Sequence, residues 1–360
     1  MNNYILVINP GSTSTKIALF NNEEAMAVES LSHSPEEIKS FETIYDQKDM
    51  RTKVILEWLD KQSIAKEELR AIVGRGGLLR PMPGGTYEVT DKMIEDLKIG
   101  YQGQHASNLG GIIAKAIAED LNIPAYIVDP VAVDEIYDVA RISGMPDIPR
   151  RSLVHALNIK AVTRNLCNRI GKDFNNSSYV VAHLGGGISV APIIDGRIVD
   201  NNNANEDGPF SPERAGGLPV GDMVKLAYSG KYTHKELKKK IVGEAGFVGY
   251  LGTNDGRKVD ELIEKGDKKA ELILKAMAYQ IAKEIGAMAT VLCGKLDAII
   301  LTGGLAYNKK LTAWIEEYVS FIAPVEIVPG ENEMQALAEG ALRAVKGEEK
   351  VKIYEEEVQM

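Results

Sequence analysis

Apolar residues along this chain fall into short β-branched runs broken by small polar residues, and into longer stretches with a helical period. The first run, Ile5-Leu6-Val7-Ile8, ends in Asn9-Pro10-Gly11 and the hydroxyl residues Ser12 to Thr15. Apolar sequence then resumes after Lys16 as Ile17-Ala18-Leu19-Phe20. Two apolar runs joined by Gly, Ser and Thr predict a hairpin. Its turn offers backbone N–H groups, hydroxyls and Lys16, and small residues there let the backbone approach an anion closely. A Walker loop is excluded, because that motif needs a second Gly before the Lys and a helix after it. The pattern recurs 174 positions further on: Val181-Ala182-His183-Leu184-Gly185 aligns with Val7 to Gly11, Ser189 with Thr15, and Ile193-Ile194 with Leu19-Phe20. Each copy carries a polar side chain, Asn9 or His183, two residues before its first Gly. Two similar domains, each offering a phosphate-binding hairpin to a shared cleft, account for the repeat.

Between and after these hairpins the periods switch. Glu24 to Leu31 reads as a third strand, and the charged stretch 36–60, with Val54, Ile55, Trp58 and Leu59, as a surface helix. Ala71-Ile72-Val73 is a short strand before GRGGLLRPMPGG, a loop by its Gly pairs and prolines. Thr90 caps a helix over 91–99, and Ser107 caps a longer one with Leu109, Ile112, Ile113, Ala116, Ile117 and Leu121 facing inward. Ala125 to Val128 is a strand ending at Asp129-Pro130, and the segment 149–155 opens a helix running to Ile170. After the second hairpin comes the loop NNNANEDGPFSPERAGGLPVGD, then mostly helix from 222 to 294. The apolar stripe of 270–292 marks a core helix or a subunit interface. Asp297 to Leu301 is a strand feeding Thr302-Gly303-Gly304, with a helix from about Asn308. A last helix, 334–345, returns to the first domain. The expected domains are 1–150 with 334–360, and 151–333.

Composition narrows the function classes. A chain of 360 residues with 44% hydrophobic and 26% charged residues holds two ordinary cores. A net charge of −9 argues against nucleic acid or an anionic membrane as the main partner. Such a protein must gather positive potential locally to handle anions. Cys167 and Cys293 make no disulfide framework and lack metal-ligand neighbours, so both are expected to be buried thiols. With no apolar run of membrane-span length and a strand at the very start, a cytoplasmic protein without a signal peptide is expected.

Several side chains have a chemical and a plain interpretation. Arg75, flanked by Gly74 and Gly76, is either a solvated loop residue or a clamp for carboxylate or phosphate. His105 precedes a helix N-terminus, whose dipole disfavours its cation, and serves as a cap or in the active site. Asp129 caps a turn or supplies chemistry at the carboxyl end of a strand. Arg150, Arg151, Ser152 and His155 at a helix start suit an anion. Gly303-Gly304 is a natural nucleotide turn. Glu333, at the start of a helix, suits the helix dipole.

VINPGSTSTKIALF and HLGGGISV resemble the two signatures of the acetate/butyrate kinases, a family within the acetate and sugar kinase, Hsp70 and actin superfamily. GRGG, GQHASNLGG, HALN and GPFSPERAGGLP make the fit closest to its butyrate kinase members, in order from about Tyr4 to Val345. The resemblance implies an α/β fold of two similar actin-like, ribonuclease H-like domains with mixed sheets flanked by helices and a cleft between them. It implies ATP/ADP and Mg²⁺, with Asn9, Ser12, Lys16, His183, Gly185, Gly186 and Gly187 at the phosphates and Gly303 and Gly304 at the adenosine. Asp129 and Glu333 fall near the metal, His155 at the transferring phosphoryl group with Arg151 adjacent, and His105 in the active-site loop. Two arginines depart from pattern. Acetate kinases place one three residues nearer the strand than Arg75, and another where this chain has Leu218-Pro219-Val220, so that either Arg214 supplies that charge from a different point or the charge is dispensed with.

A carboxylate substrate is ionised at neutral pH, so the expected chemistry is positioning and charge neutralisation rather than base catalysis. The acetate kinases close their methyl pocket with a Phe where this chain has Val154 and a Val where it has Gly74, while Pro212 keeps its counterpart. Each extra buried CH₂ is worth about 0.8 kcal/mol, so butyrate or a branched relative such as isobutyrate is the expected acid. Acetate or propionate kinase and a non-catalytic actin- or Hsp70-like ATP-binding protein are the alternatives, and a homodimer or higher homo-oligomer is expected.

Overall fold

A computed structural model describes residues 3–62 and 64–359. The chain divides into two compact units, 1–134 with 332–360, and 135–331. In the first, a seven-stranded sheet runs in the order β12-β5-β6-β4-β1-β2-β3. Its strands are β1 (Tyr4–Pro10), β2 (Ser14–Asn21), β3 (Glu24–Ser32), β4 (Leu69–Arg75), β5 (Thr86–Glu88), β6 (Ala125–Val128) and β12 (Lys352–Ile353). β1, β2 and β3 form an antiparallel meander, while β4 and β6 extend the sheet parallel to β1. The helices Asn108–Leu121 and Glu333–Lys346 pack on β1, β4 and β6. Ile5 to Ile8 and Ala71 to Val73 are fully buried, as continuous apolar runs in strands covered by helices should be.

The second unit repeats the plan. Its five-stranded sheet is ordered β11-β10-β7-β8-β9, with β7 (Ser178–Leu184), β8 (Ile188–Ile194), β9 (Arg197–Ile198), β10 (Ala298–Gly303) and β11 (Val325–Pro329). β7, β8 and β9 are antiparallel neighbours, and β10 and β11 lie parallel to β7. The shared sequence pattern is thus a shared topology. Its register slips by one residue at the turn, however. Asn9 pairs with Lys16 in the first hairpin and His183 with Ser189 in the second. Four residues separate the pair Pro10/Thr15, three the pair Leu184/Ile188. Ser189 therefore stands where Lys16 does, not where Thr15 does.

Local signals place most elements well. Thr90 accepts from the Met93 N–H at 3.2 Å at the head of the helix Asp91–Ile99. Elsewhere tertiary contacts prevail. The stretch 36–60 is two helices, Pro35–Lys39 and Lys48–Leu59, and the second is no surface helix: Arg51, Ile55, Trp58 and Leu59 are buried. The helix after residue 149 starts only at Ala156. Residues 135–150 group with the second unit, held by Lys160 Nζ on Glu135 at 2.9 Å and by Arg150 on Asp200 at 2.9 Å. The stripe of the helix Lys268–Val291 belongs to the core of that unit, where Leu274, Met277, Ile281 and Ile285 are fully buried. Cys167 is buried as expected, but Cys293 is exposed.

Candidate functional site

In the first unit the C-terminal ends of β1 and β4 meet the start of the helix Glu333–Lys346. Asn9 donates from Nδ2 to Glu333 Oε2 at 2.8 Å, and Arg75 forms an ion pair with Glu333 Oε1. One carboxylate therefore orients both the Asn of the first signature and the loop arginine. His105 shares a 2.8 Å hydrogen bond between Nδ1 and the Ser107 hydroxyl, and Nδ1 lies 3.2 Å from the Ser107 N–H. The Ser107 side chain therefore serves His105 and does not cap the helix that follows. Burial, reinforced by the Arg75 charge, holds His105 below the ordinary histidine range.

Asp129 follows β6 with φ of +39°, a left-handed conformation that costs a non-glycine residue roughly 1–3 kcal/mol. Its Oδ1 accepts the Gly85 N–H at 2.7 Å, and its own N–H donates to the Gly85 carbonyl at 3.0 Å. The strained backbone is thus locked from two sides, with the carboxylate buried at the strand end. Ser12 and Lys16 are exposed on the hairpin. Gly74 departs from the expected pocket role. A Cβ there would collide with the Gly110 carbonyl, so the space is filled by the backbone of the helix Asn108–Leu121.

The second unit gathers its groups around the turn between β7 and β8. His183, at the end of β7, stacks on His155 with ring centroids 3.9 Å apart and planes 11° from parallel. His183 Nδ1 donates to Asn158 Oδ1 at 2.9 Å, and its Nε2 lies 3.2 Å from Glu331 Oε1. His155 Nδ1 shares a 2.9 Å hydrogen bond with the Ser189 hydroxyl, directly across the hairpin from His183.

Arg214 completes the turn. Its guanidinium covers Gly187 so closely that a Cβ there would clash with it, and it donates to the Ala204 carbonyl at 3.0 Å. Burial lowers its pKa. The Ser211 hydroxyl donates to the Gly186 carbonyl at 2.6 Å, and the Gly185 N–H to the Gly187 carbonyl at 3.1 Å. The loop 208–217 thus lays the Arg214 guanidinium over this turn, from a point earlier in the segment than the acetate kinase position. Val154 and Pro212 are both buried. Gly303, with φ of +88°, sits where a Cβ would lie 2.5 Å from the Leu184 carbonyl, and it exchanges hydrogen bonds with Gly330 at 3.0 and 3.2 Å. A Cβ on Gly304 would meet open space. The helix beyond is capped by Asn308 Oδ1, which accepts from the Leu311 N–H at 2.9 Å.

Arg150 and Arg151 do not join this group. Arg150 is spent on Asp200 and the carbonyls of Ala140 and Asn201, and Arg151 is exposed ahead of the helix. Residues the sequence did not single out, Asn158, Ser189, Glu331 and Ser211, position those it did. Asn158 offered a signal: it lies three residues beyond His155, in the first turn of the helix that His155 precedes. Among the described residues no three His, Cys, Asp or Glu side chains form a metal-binding group, and no helix is long and apolar enough to cross a membrane.

Two sheets that share the order of five strands, each with its hairpin first in sequence, define an actin-like α/β fold. An acetate kinase from Porphyromonas gingivalis superposes with a TM-score of 0.80 at 19% identity, over 96% of this chain and all of that one. The acetokinase family model matches residues 146–324. A probable butyrate kinase of Clostridium botulinum is 56% identical over 97% of this chain and 99% of its own length. Butyrate kinase 1 of Clostridium acetobutylicum is 54% identical over the same shares. The chain belongs to the acetokinase family.

Proposed function

We propose that this protein catalyses reversible phosphoryl transfer from ATP to a short-chain carboxylate, butyrate or a branched relative such as isobutyrate, giving an acyl phosphate and ADP. The observation that carries it is the stacked pair His155–His183 beside a glycine turn covered by Arg214. Such a group neutralises charge on a transferring phosphoryl and needs no base. A carboxylate oxygen bonds to the γ-phosphorus while the bond to the β,γ-bridging oxygen breaks, and ADP leaves with that electron pair. No proton moves, so positioning and electrostatics carry the rate.

His155 and Arg214 would face the equatorial oxygens, with Asn158 and Ser189 fixing the two rings. Arg75, held by Glu333, would turn to the substrate carboxylate, which matches its fork. Mg²⁺, when bound, would offset the negative charge of ATP's phosphates. Asp129 and Glu333 would hold it, since oxygen donors suit this ion and one or two protein carboxylates suffice. Gly303 and Gly304 would receive the adenosine, and the two hairpin turns the phosphates.

Acyl hydroxamate formation from ATP, Mg²⁺ and straight or branched acids of two to six carbons tests this, with glycerol and glucose as controls. Maximal product with a four- or five-carbon acid is expected. The variant Val154→Phe should move the preference toward acetate. A maximum at acetate in the parent would make it an acetate kinase, and nucleotide binding without product would make it a non-catalytic ATP-binding protein.

A further inference from the structure

Arg51 is fully buried in the first unit, and its charge has no carboxylate within ion-pair distance among the described residues. Its fork closes instead on neutral oxygens of the first hairpin turn. One terminal nitrogen donates to the Gly11 carbonyl at 3.0 Å, the Ser14 carbonyl at 3.0 Å and Thr15 Oγ1 at 2.9 Å. The other donates to the Ser12 carbonyl at 3.2 Å and Gln47 Oε1 at 2.9 Å, and Nε to the same Gln47 oxygen at 3.2 Å. The remaining turn carbonyl, Thr13, accepts the His33 N–H at 2.9 Å. Four successive carbonyls, 11 to 14, are thereby drawn onto protein donors.

Carbonyl oxygens repel phosphate and amide hydrogens attract it. With every turn carbonyl committed, the exposed Ser12 and Thr13 present amides that have no protein acceptor among the described residues. We propose that Arg51 is a positioning residue of the phosphate site, which turns the first hairpin into an anion cradle and places a buried positive charge directly behind it. The proposal rests on the assignment of ATP phosphates to this hairpin. It makes the affinity of the turn for anions depend on a side chain that never reaches solvent. Lysine cannot replace it, because three donors on a single nitrogen cannot span oxygens distributed along four residues and a helix.

The test compares binding of ATP and of adenosine, each by calorimetry, to the full chain and to Arg51→Lys. The variant should bind ATP about tenfold more weakly, the loss of roughly one charge-assisted hydrogen bond's worth of preorganisation, and adenosine as the parent does. In turnover the KM for ATP should rise more than the KM for the acid. A second variant, Gln47→Leu, leaves the charge in place but loosens the fork, and should give a smaller loss in the same direction. ATP affinity within twofold of the parent in Arg51→Lys would overturn the proposal, and so would equal losses for ATP and adenosine, which mark general damage. If Arg51→Lys fails to fold, an unchanged ATP affinity in Gln47→Leu would overturn it as well. A parent that binds ATP no better than adenosine would instead refute the assignment of phosphates to this chain.

Discussion

Gly74 lacks a side chain because another backbone occupies the place. Counting residues against acetate kinases gives it the place of a Val and so a larger pocket, but the Gly110 carbonyl fills that volume. Residue volume alone does not define a cavity; the approach of the next chain segment does. Gly74→Ala should therefore act on stability and not on acid preference, at a cost of about 1–3 kcal/mol as for other overpacking of a tight core. Urea unfolding checks the first half and the hydroxamate panel the second. A stable variant with altered acid preference would restore the pocket role. Val154, by contrast, is buried and keeps the selectivity prediction.

At the scale of elements, strands and capped helices were legible wherever the cause was local. The run Ala125 to Val128 became β6 with the same ends, and the Thr90 cap formed as its spacing requires. Less legible were groups whose role depends on distant partners. Arg51 lies 40 residues from Gly11, and a charge in a polar helix reads as solvated. Its position one turn before Ile55, on the stripe of Trp58 and Leu59, was the only hint. The hairpin register also misled, since a fixed offset cannot register a turn shortened by one residue.

His33 makes the brace of the first hairpin pH-sensitive. Its Nε2 shares a 2.9 Å hydrogen bond with Thr15 Oγ1, which also accepts from Arg51 at 2.9 Å, so the imidazole sits beside a buried guanidinium. Burial, then the Arg51 charge, lowers its pKa, with Glu37 opposing. The unfolded chain takes up this proton near pH 6.5, so the contribution of His33 is complete above that and is lost as pH falls through the lower native value. Parent and His33→Gln, unfolded in urea at pH 7.5 and 5.0, should show the parent losing more stability on acidification. A constant gap between them would exclude a lowered native pKa for His33.

At the scale of the molecule, the duplicated topology made the family visible, because two copies of a short pattern constrain a fold far more than one. The distribution of roles between the copies is unequal. In the first, a buried guanidinium gathers the turn from within, while in the second Ser211 and Arg214 grip it from a neighbouring loop. The glycines of the second turn and Arg214 announced themselves in sequence; Ser211, 25 positions from Gly186, did not.

The helix Glu333–Lys346 packs on β1, β4 and β6, yet it is made some 200 residues after the last of these strands. The second unit has no such debt, since 135–331 is one continuous segment. During synthesis the usual order of N-terminal structure first is therefore reversed. The opening sheet waits with one face uncovered while the later unit completes its core. On stalled ribosomes, protease resistance should appear in 135–331 before it appears in β1 to β6; simultaneous protection would mean that the early sheet is stable without its last helix. The nascent chain is thus most exposed to aggregation and to chaperones through its most apolar strands, for the whole time that the rest of the protein is being made.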